Sequence, residues 1–306
     1  MKIIRLTPAC KDYPWGGALL REKYGVNSDL EPLAEAWVLS CHPDGESIIA
    51  EGEHQGQRLS GCAAQYGANF WGTKCEEFDG LPLLIKLIDA KTNLSIQVHP
   101  DNAYALEHEH QYGKTEMWYV VEAAPDAYLY YGLKKSVTKS ELSKSITDGT
   151  IIDLLRAVPV HAGDLFFIPA GTIHAICGGT VIAEIQQNSN VTYRVFDYNR
   201  VGKDGKCCTS ESQESFNSAE YSAFIDSFVR IRSFMVVYSS HIASSKKHRR
   251  HWLSVLFCCK NAINVVGQTL PHTLTHLPKC AERVKEHRRE SCFLPMLRLC
   301  PSWPAC

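Results

Sequence analysis

The chain has 306 residues, a length that allows one large domain or two smaller ones. Its 32 lysine and arginine residues nearly balance 33 aspartate and glutamate residues, so the formal net charge is −1. This balance argues against a protein that binds nucleic acid or a membrane surface along its whole length, because neither anionic partner attracts a neutral protein. With 45% hydrophobic residues the chain has ample material for a core, which excludes disorder of the entire chain.

The totals conceal two unlike segments that meet near residue 206. Residues 1–206 carry 19 basic and 26 acidic side chains, a net charge of −7, whereas residues 207–306 carry 13 and 7, a net charge of +6. Across the same boundary glycine falls from 19 residues to Gly267 alone, and cysteine rises from five residues to eight. We therefore expect a folded domain over residues 1–206 and an atypical, unassigned segment over residues 207–306.

The first residues lack the apolar core of a signal peptide, and no run approaches the ~18 apolar residues that a membrane-spanning helix needs. The odd count of 13 cysteines, with no Cys-x-x-Cys spacing, fits neither a disulfide framework nor a zinc knuckle. A basic run at residues 246–251 has no interleaved aromatic residues that would favour single-strand binding. We expect reduced thiols, a cytoplasmic location, and neither a nucleic-acid nor a membrane partner.

In chain order, residues 1–206 show short strand patterns separated by turns. Residues 93–99 alternate between apolar and polar side chains, which predicts a strand that Pro100 ends. Asp101 can then cap a short helix that includes His108 and His110. Further strands are predicted at residues 116–121, 165–168, 173–176, 181–187 and 191–198, with an interrupted helix over residues 139–156. Short strands at this spacing favour an antiparallel barrel or jelly roll.

Four polar side chains on or beside these strands form a candidate metal site: Gln97, His99, Glu116 and His174. Gln97 and His99 are two positions apart, so in a strand they project from the same face. Two imidazoles, a carboxylate and a neutral oxygen suit a borderline divalent ion such as Zn²⁺. A single histidine on a strand is more often a surface or structural residue, so spacing alone leaves both interpretations open.

Two basic residues stand near this candidate site. Lys114 precedes Glu116 by two positions and shares its face if the strand extends that far. Arg194 alternates with apolar neighbours, so it either meets an anion or is a surface arginine paired with Asp197 or Glu184.

The remaining motifs offer no competing chemistry. The histidines at positions 42 and 161 are expected in loops, and those at positions 108 and 110 in solvent. No glycine-rich nucleotide loop, Gly-x-Ser-x-Gly or Cys–His nucleophile pair is present, so nucleotide-dependent and acyl-transfer chemistry have no support.

Four motifs occur along the chain in one order: Ile96-Gln97-Val98-His99-Pro100-Asp101, Gly113-Lys114-Thr115-Glu116-Met117-Trp118-Tyr119, Pro169-Ala170-Gly171-Thr172-Ile173-His174-Ala175 and Tyr193-Arg194-Val195-Phe196-Asp197-Tyr198. Together with Trp15-Gly16-Gly17 and Glu35-Ala36-Trp37, they resemble type I mannose-6-phosphate isomerase in its short bacterial form, over about the first two thirds of the chain. The resemblance implies a mainly β fold, a cupin (jelly-roll) barrel with helical insertions.

The resemblance also implies one Zn²⁺ per chain, bound by Gln97, His99, Glu116 and His174. The implied substrate is a small sugar phosphate, and the implied reaction interconverts D-mannose 6-phosphate and D-fructose 6-phosphate through an enediol. By the same resemblance, the expected functional residues are Arg194 at the active site, Lys114 as a base whose pKa would have to be lowered, and Lys86 and Ser95 as phosphate contacts.

Residues from Cys207 onward do not resemble the glycine-containing C-terminal β-domain of that family. The shift in composition suggests a change of reading frame near codon 206, and resequencing that region would test it. Two other classes of function stay open. One is a cupin that binds a sugar or sugar phosphate with impaired or no catalysis. The other is an iron-dependent cupin oxygenase, which uses similar His and Glu ligands. The sequence does not define an oligomeric state.

Overall fold

A computed structural model describes residues 4–72, 75–200 and 237–238. The strands are β1 Leu6–Thr7, β2 Ala9–Lys11, β3 Glu35–Leu39, β4 Ile48–Ile49, β5 Leu83–Ala90, β6 Ile96–Val98, β7 Glu116–Ala123, β8 Tyr128–Leu133, β9 Leu155–Pro159, β10 Leu165–Ile168, β11 His174–Ile176, β12 Thr180–Gln187, β13 Tyr193–Phe196 and β14 Val237–Tyr238. The helices are α1 Leu19–Glu22, α2 Leu59–Tyr66, α3 Asn102–His108 and α4 Lys139–Thr147, with 3₁₀ turns at Ala68–Trp71 and Ile151–Leu154.

Two antiparallel sheets dominate the structure. One has seven strands in the order β14-β10-β7-β12-β5-β3-β2, and the other has five strands in the order β13-β6-β11-β8-β9. A shared apolar cluster joins them: Ile88, Trp118 and Ile182 of the larger sheet pack with Leu129 and Ile176 of the smaller one. Burial of such side chains between two sheets is the main source of stability in this architecture. The mainly β cupin fold with few helices is therefore confirmed.

The helix that follows β6 begins where the sequence predicts. The Asp101 side chain accepts a hydrogen bond from the backbone N–H of Tyr104, which satisfies one unpaired donor of the first turn. The helix ends at His108, however, and His110 has a φ of 54°, so His110 lies beyond the helix and not within it. This corrects the expectation that both histidines are helical.

The predicted helix over residues 139–156 is wrong in its last part. Thr138 and Glu141 form a reciprocal capping box at its start, and α4 ends at Thr147, which confirms the interruption predicted near Asp148-Gly149, where Gly149 has a φ of 70°. Leu155 and the residues after it belong to β9, which pairs with β8. Pairing with a strand distant in sequence overrides the local helical pattern there.

Among the described residues, all five cysteines have free thiols: Cys10, Cys41, Cys62, Cys75 and Cys177. No helix in these ranges combines the length and apolar character needed to cross a membrane. The predictions for residues 207–306 lie outside the described residues, apart from β14, which pairs antiparallel with β10. The boundary at residue 206 and the change of reading frame therefore stay predictions.

Candidate metal centre

The smaller sheet aligns polar side chains in one row. Arg194, Gln97, His174 and Tyr131 are successive cross-strand partners on β13, β6, β11 and β8. Directly opposed residues of an antiparallel sheet project from the same face, so the four side chains share one side of this sheet. Gln97 thus lies between Arg194 and His174 in the row.

The larger sheet brings Glu116 to the same place from the opposite layer. Glu116 Oε1 lies 3.2 Å from Nε2 of His99, and Glu116 Oε2 lies 3.7 Å from Nε2 of His174. The three side chains offer ligand atoms that all lie within 4.8 Å of one another, and each residue is at most 1% exposed. Three residues predicted from sequence as metal ligands therefore converge in the interior.

Backbone carbonyls orient both imidazoles. His99 Nδ1 lies 3.0 Å from the Val191 carbonyl oxygen, and His174 Nδ1 lies 2.8 Å from that of Thr172. Since a carbonyl oxygen can only accept, each Nδ1 carries the proton, and each Nε2 lone pair faces Glu116. This is the arrangement that metal-binding histidines adopt.

Burial keeps these imidazoles neutral. Burial first, and then the neighbouring Lys114 charge, lowers the pKa of His99 to about 3, and burial also lowers the pKa of His174. Neutral imidazole is the form that binds a metal.

The donor set fits a divalent cation. Nε2 of His174 is buried and has no hydrogen-bond partner among the described residues, and leaving such an acceptor unsatisfied costs about 1–3 kcal/mol. A cation bound among His99, Glu116 and His174 would remove that cost. Two imidazoles and a carboxylate suit Zn²⁺, and also iron and manganese, so the geometry defines the class of metal site and not the metal.

Lys114 contacts two of the three cluster residues. Its Nζ lies 2.6 Å from Glu116 Oε1 and 3.2 Å from His99 Nε2, and the residue is 4% exposed. Burial raises the pKa of Glu116, but the adjacent Lys114 ammonium outweighs burial and holds that pKa well below its usual value. Glu116 is therefore ionised and available as a ligand.

The predicted substrate residues occupy different environments. Lys86 is 4% exposed, with its Nζ 3.6 Å from Glu35 Oε2 and 3.5 Å from Glu184 Oε1. Ser95 is buried just before β6, whereas Arg194 is exposed at the outer strand of its sheet. The ammonium of Lys86 is thus balanced inside the protein by two carboxylates.

One sequence-based alternative for Arg194 involved pairing with Asp197 or Glu184. In the structure the Asp197 carboxylate accepts hydrogen bonds from Arg200, and Glu184 is buried beside Lys86 and Trp118. The charges of Arg194 and Lys86 also partly offset the burial and the Glu35 charge that raise the pKa of Tyr13. Tyr13 therefore lies within electrostatic reach of both basic residues, which the sequence did not indicate.

Glu184 is another residue that sequence reasoning missed as part of the site. Burial first, and then the Glu116 charge, raises the pKa of Glu184 to about 7. Its carboxylate Oε2 accepts a hydrogen bond from Trp118 Nε1 at 2.9 Å. The sequence does contain a signal for this role, because Glu184 is the single charged residue within the apolar run Val181-Ile182-Ala183-Glu184-Ile185.

The loop histidines behave differently from one another. His161 is exposed in its loop, as expected, and His108 is 48% exposed. His42 does lie in a loop but is buried, with its Nε2 3.2 Å from Gln111 Oε1 and its ring edge-on to Trp37. His42 therefore joins the loop after β3 to the segment that leads into Lys114.

Comparison with known proteins extends these observations. Residues 3–147 match the family described as phosphomannose isomerase type I, catalytic domain. The mannose-6-phosphate isomerase of Streptococcus mutans is 44% identical over 192 residues, which are 63% of this chain and 60% of that protein. The mannose-6-phosphate isomerase ManA of Bacillus subtilis is 39% identical over 200 residues, which are 65% of this chain and 62% of that protein.

A solved structure agrees with these matches. The crystal structure of the mannose 6-phosphate isomerase from Bacillus subtilis superposes with a TM-score of 0.62 at 41% identity, and the match covers 66% of this chain and 64% of that one. The chain therefore spans less than two thirds of the length of these relatives. Residues 3–147 match the catalytic domain of type I phosphomannose isomerases, and about the first two thirds of the chain is similar to mannose-6-phosphate isomerases.

Proposed function

We propose that the protein is an isomerase that interconverts D-mannose 6-phosphate and D-fructose 6-phosphate through an enediol, with one Zn²⁺ per chain. Gln97, His99, Glu116 and His174 would hold the ion. The observation that carries the proposal is the convergence of two neutral imidazoles and an ionised carboxylate, all buried, in a chain related to phosphomannose isomerases.

The reaction moves a proton between C1 and C2 of the sugar, and negative charge develops on the oxygen atoms as the enediol forms. A bound divalent ion supplies Lewis-acid stabilisation of that charge. We assign Lys114 Nζ, 2.6 Å from Glu116 Oε1, to hold a proton beside those oxygens. The fixed positive charge of Arg194, in register with Gln97, is suited to the same developing charge.

Lys86 and Ser95 remain our proposed phosphate contacts. Both are buried, and Lys86 is paired with Glu35 and Glu184, so a phosphate at Lys86 would compete with two carboxylates. We also propose that the partner is a small molecule alone and that the protein acts in the cytoplasm, which agrees with the five free thiols of the described residues.

The test is a coupled assay that follows mannose 6-phosphate formed from fructose 6-phosphate, on protein loaded with zinc. The wild-type chain is expected to bind about one equivalent of zinc and to turn over. Glu116→Gln is expected to lose both properties by at least about 100-fold, because it removes the charged ligand. The matched control, Glu107→Gln, alters an exposed glutamate on α3 and should change neither.

One observation favours a second candidate, a cupin that binds a sugar or sugar phosphate without turnover. The chain covers only 60% of the Streptococcus mutans relative, so part of that protein's length has no counterpart in the match. Zinc retention and calorimetric binding of fructose 6-phosphate, without isomerisation, would support this candidate and reject the enzyme. Iron instead of zinc in the purified protein would indicate the oxygenase class.

A further inference from the structure

The larger sheet contains the same Glu-x-Trp arrangement on two of its strands. On β3, Trp37 Nε1 donates a hydrogen bond of 2.6 Å to Oε2 of Glu35, and on β7, Trp118 Nε1 donates one of 3.0 Å to Oε2 of Glu116. Residues two apart on a strand share a face, so each indole lies beside its own glutamate. Both tryptophans are completely buried.

The two arrangements lie in one row of the sheet. Trp37, Lys86, Glu184 and Trp118 are successive cross-strand partners on β3, β5, β12 and β7. Their side chains therefore point to the same side, between the two sheets. The row provides an internal comparison, because the same pair of residue types occurs at both of its ends.

Trp118 differs from Trp37 in what else it contacts. Its Nε1 also lies 2.9 Å from Oε2 of Glu184, so one N–H is shared between two buried carboxylates. The Trp118 ring packs edge-on against the His174 ring, with centroids 5.2 Å apart. Trp118 thus contacts two residues of the metal cluster, Glu116 and His174. Trp37 contacts neither, and lies instead against the ammonium groups of Lys11 and Lys86.

We propose that Trp118 is a positioning residue for the metal centre: its shared indole N–H holds Glu116 Oε2 in place and orients that carboxylate for a divalent cation. The inference rests on the proposed function. Two carboxylates that face one another in the interior repel, and a shared donor fixes the distance between them. The other oxygen of Glu184, Oε1, lies 3.5 Å from Lys86 Nζ. Lys86 therefore holds in place the carboxylate to which the Trp118 indole donates.

Partners that hydrogen-bond to metal ligands typically contribute about 10–100-fold to metal affinity. Removing the indole N–H should therefore weaken the binding of zinc, even though no ligand atom is lost. The same change at Trp37 removes an equally buried N–H from Glu35, which is not one of the three cluster residues. The pair of variants separates positioning of the metal ligand from general packing.

The experiment compares Trp118→Phe with Trp37→Phe in the full-length protein. Zinc affinity is measured by competition with a chromophoric chelator, and folding by circular dichroism and thermal melting. We expect Trp118→Phe to bind zinc about 10–100-fold more weakly and Trp37→Phe to stay within about threefold of wild type. Unchanged affinity in Trp118→Phe, or equal weakening in both variants, overturns the proposal.

A measurement on the wild-type protein covers the case in which Trp118→Phe does not fold. In ¹⁵N-labelled protein the indole N–H signal of Trp118 is expected to shift on addition of zinc, whereas that of Trp37 stays in place. A Trp118 signal that zinc does not move contradicts the proposal.

The outcomes also separate the two proposals. Zinc binding without isomerisation rejects the enzyme alone, whereas turnover with unchanged zinc affinity in Trp118→Phe rejects the positioning role alone. Wild-type protein that binds no zinc rejects both.

Discussion

Each imidazole of the metal cluster is fixed by one backbone carbonyl, and that single contact decides its chemistry. The carbonyls of Val191 and Thr172 accept from Nδ1 of His99 and His174, so Nε2 is the only nitrogen left for a metal. Burial removes the alternative of protonation, since it lowers the pKa of both groups. The site is therefore prepared for a cation by the fold and not by the ligands alone.

In the metal-free protein, the His99 side chain should lower the free energy of unfolding as the pH falls below about 6.5. The pKa of His99 is about 3 in the folded chain against 6.5 ordinarily, so between these values the unfolded chain binds a proton that the folded chain does not. The expected contribution is about 1.4 kcal/mol of unfolding free energy per pH unit. Urea unfolding of the wild type and of His99→Gln, with a chelator present and from pH 7 to pH 5, measures this contribution as the difference between the two proteins.

The control for this prediction is His99→Gln. Because this variant lacks the imidazole, its unfolding free energy should change less steeply with pH, by about 1.4 kcal/mol per pH unit. Glu184, whose pKa is raised to about 7 from 4.5, acts in the opposite direction between those values. The difference between wild type and variant therefore isolates the imidazole. Equal slopes for the two proteins would contradict the assignment.

Cys177 should resist alkylation in the folded protein. The residue is 0% exposed, and burial raises the pKa of its thiol to about 12. At pH 8 only ~10⁻⁴ of such a thiol is ionised, and the thiolate is the nucleophile. Peptide mapping after iodoacetamide treatment should show Cys177 unlabelled in native protein and labelled in guanidinium. Equal labelling in both conditions would show that the thiol is accessible.

At the scale of elements, the connection from α3 to β7 places Lys114 by close backbone packing. A Cβ added to Gly113 would lie 2.4 Å from the Asp101 carbonyl carbon and 2.5 Å from the Asn102 nitrogen. Both are backbone atoms at the start of α3, so neither can rotate away. The segment that carries Lys114 therefore lies directly against the helix start, and only glycine permits that approach.

Gly113→Ala should destabilise the protein by about 2 kcal/mol or more, because the backbone of one segment must move. It should also reduce isomerase activity, since Lys114 moves with its neighbour. The matched control is Gly61→Ala within α2, where an added Cβ meets nothing within 4 Å. That change should be neutral or stabilising by up to ~1 kcal/mol. Urea unfolding compares the two, and equal stabilities would refute the close approach.

For the whole molecule, the candidate metal centre depends on the contact between two sheets. His174 and Gln97 lie on the five-stranded sheet, and Glu116 lies on the seven-stranded sheet. All of these residues precede position 206, the boundary at which the composition changes. The atypical segment supplies β14, Val237–Tyr238, which pairs with β10 at the edge of the larger sheet.

A chain that ends at residue 206 is expected to keep its zinc affinity within about threefold and to self-associate more strongly. It retains every residue of the cluster, but Leu165 and Phe166 of β10 lose their pairing with β14. An unpaired edge strand is a template for pairing with another chain. Chelator competition and light scattering, beside the full-length chain at equal concentration, measure both effects. Loss of zinc binding on truncation would place part of the site beyond residue 206.

Several features of the fold were predictable because their signals are local. The Asp101 cap, the end of β6 at Val98 shortly before Pro100, and the strand at residues 165–168 follow from residues within a few positions of one another. The predicted helical stretch over residues 139–156 is wrong at its last two residues for the complementary reason. Leu155–Pro159 forms a strand because β8 pairs with it, and no signal within the segment reports that partner.

The sequence by itself determined the residue types of the candidate metal centre, the strands that carry or adjoin them and, through four ordered motifs, the resemblance to type I phosphomannose isomerases. Only the tertiary structure decided which side chains meet: His99 and His174 across 75 positions of sequence, Trp118 between Glu116 and Glu184, and Lys86 between two carboxylates. Strand alternation and capping depend on neighbouring residues, whereas burial, register and the pKa values that follow from them depend on how the two sheets pack.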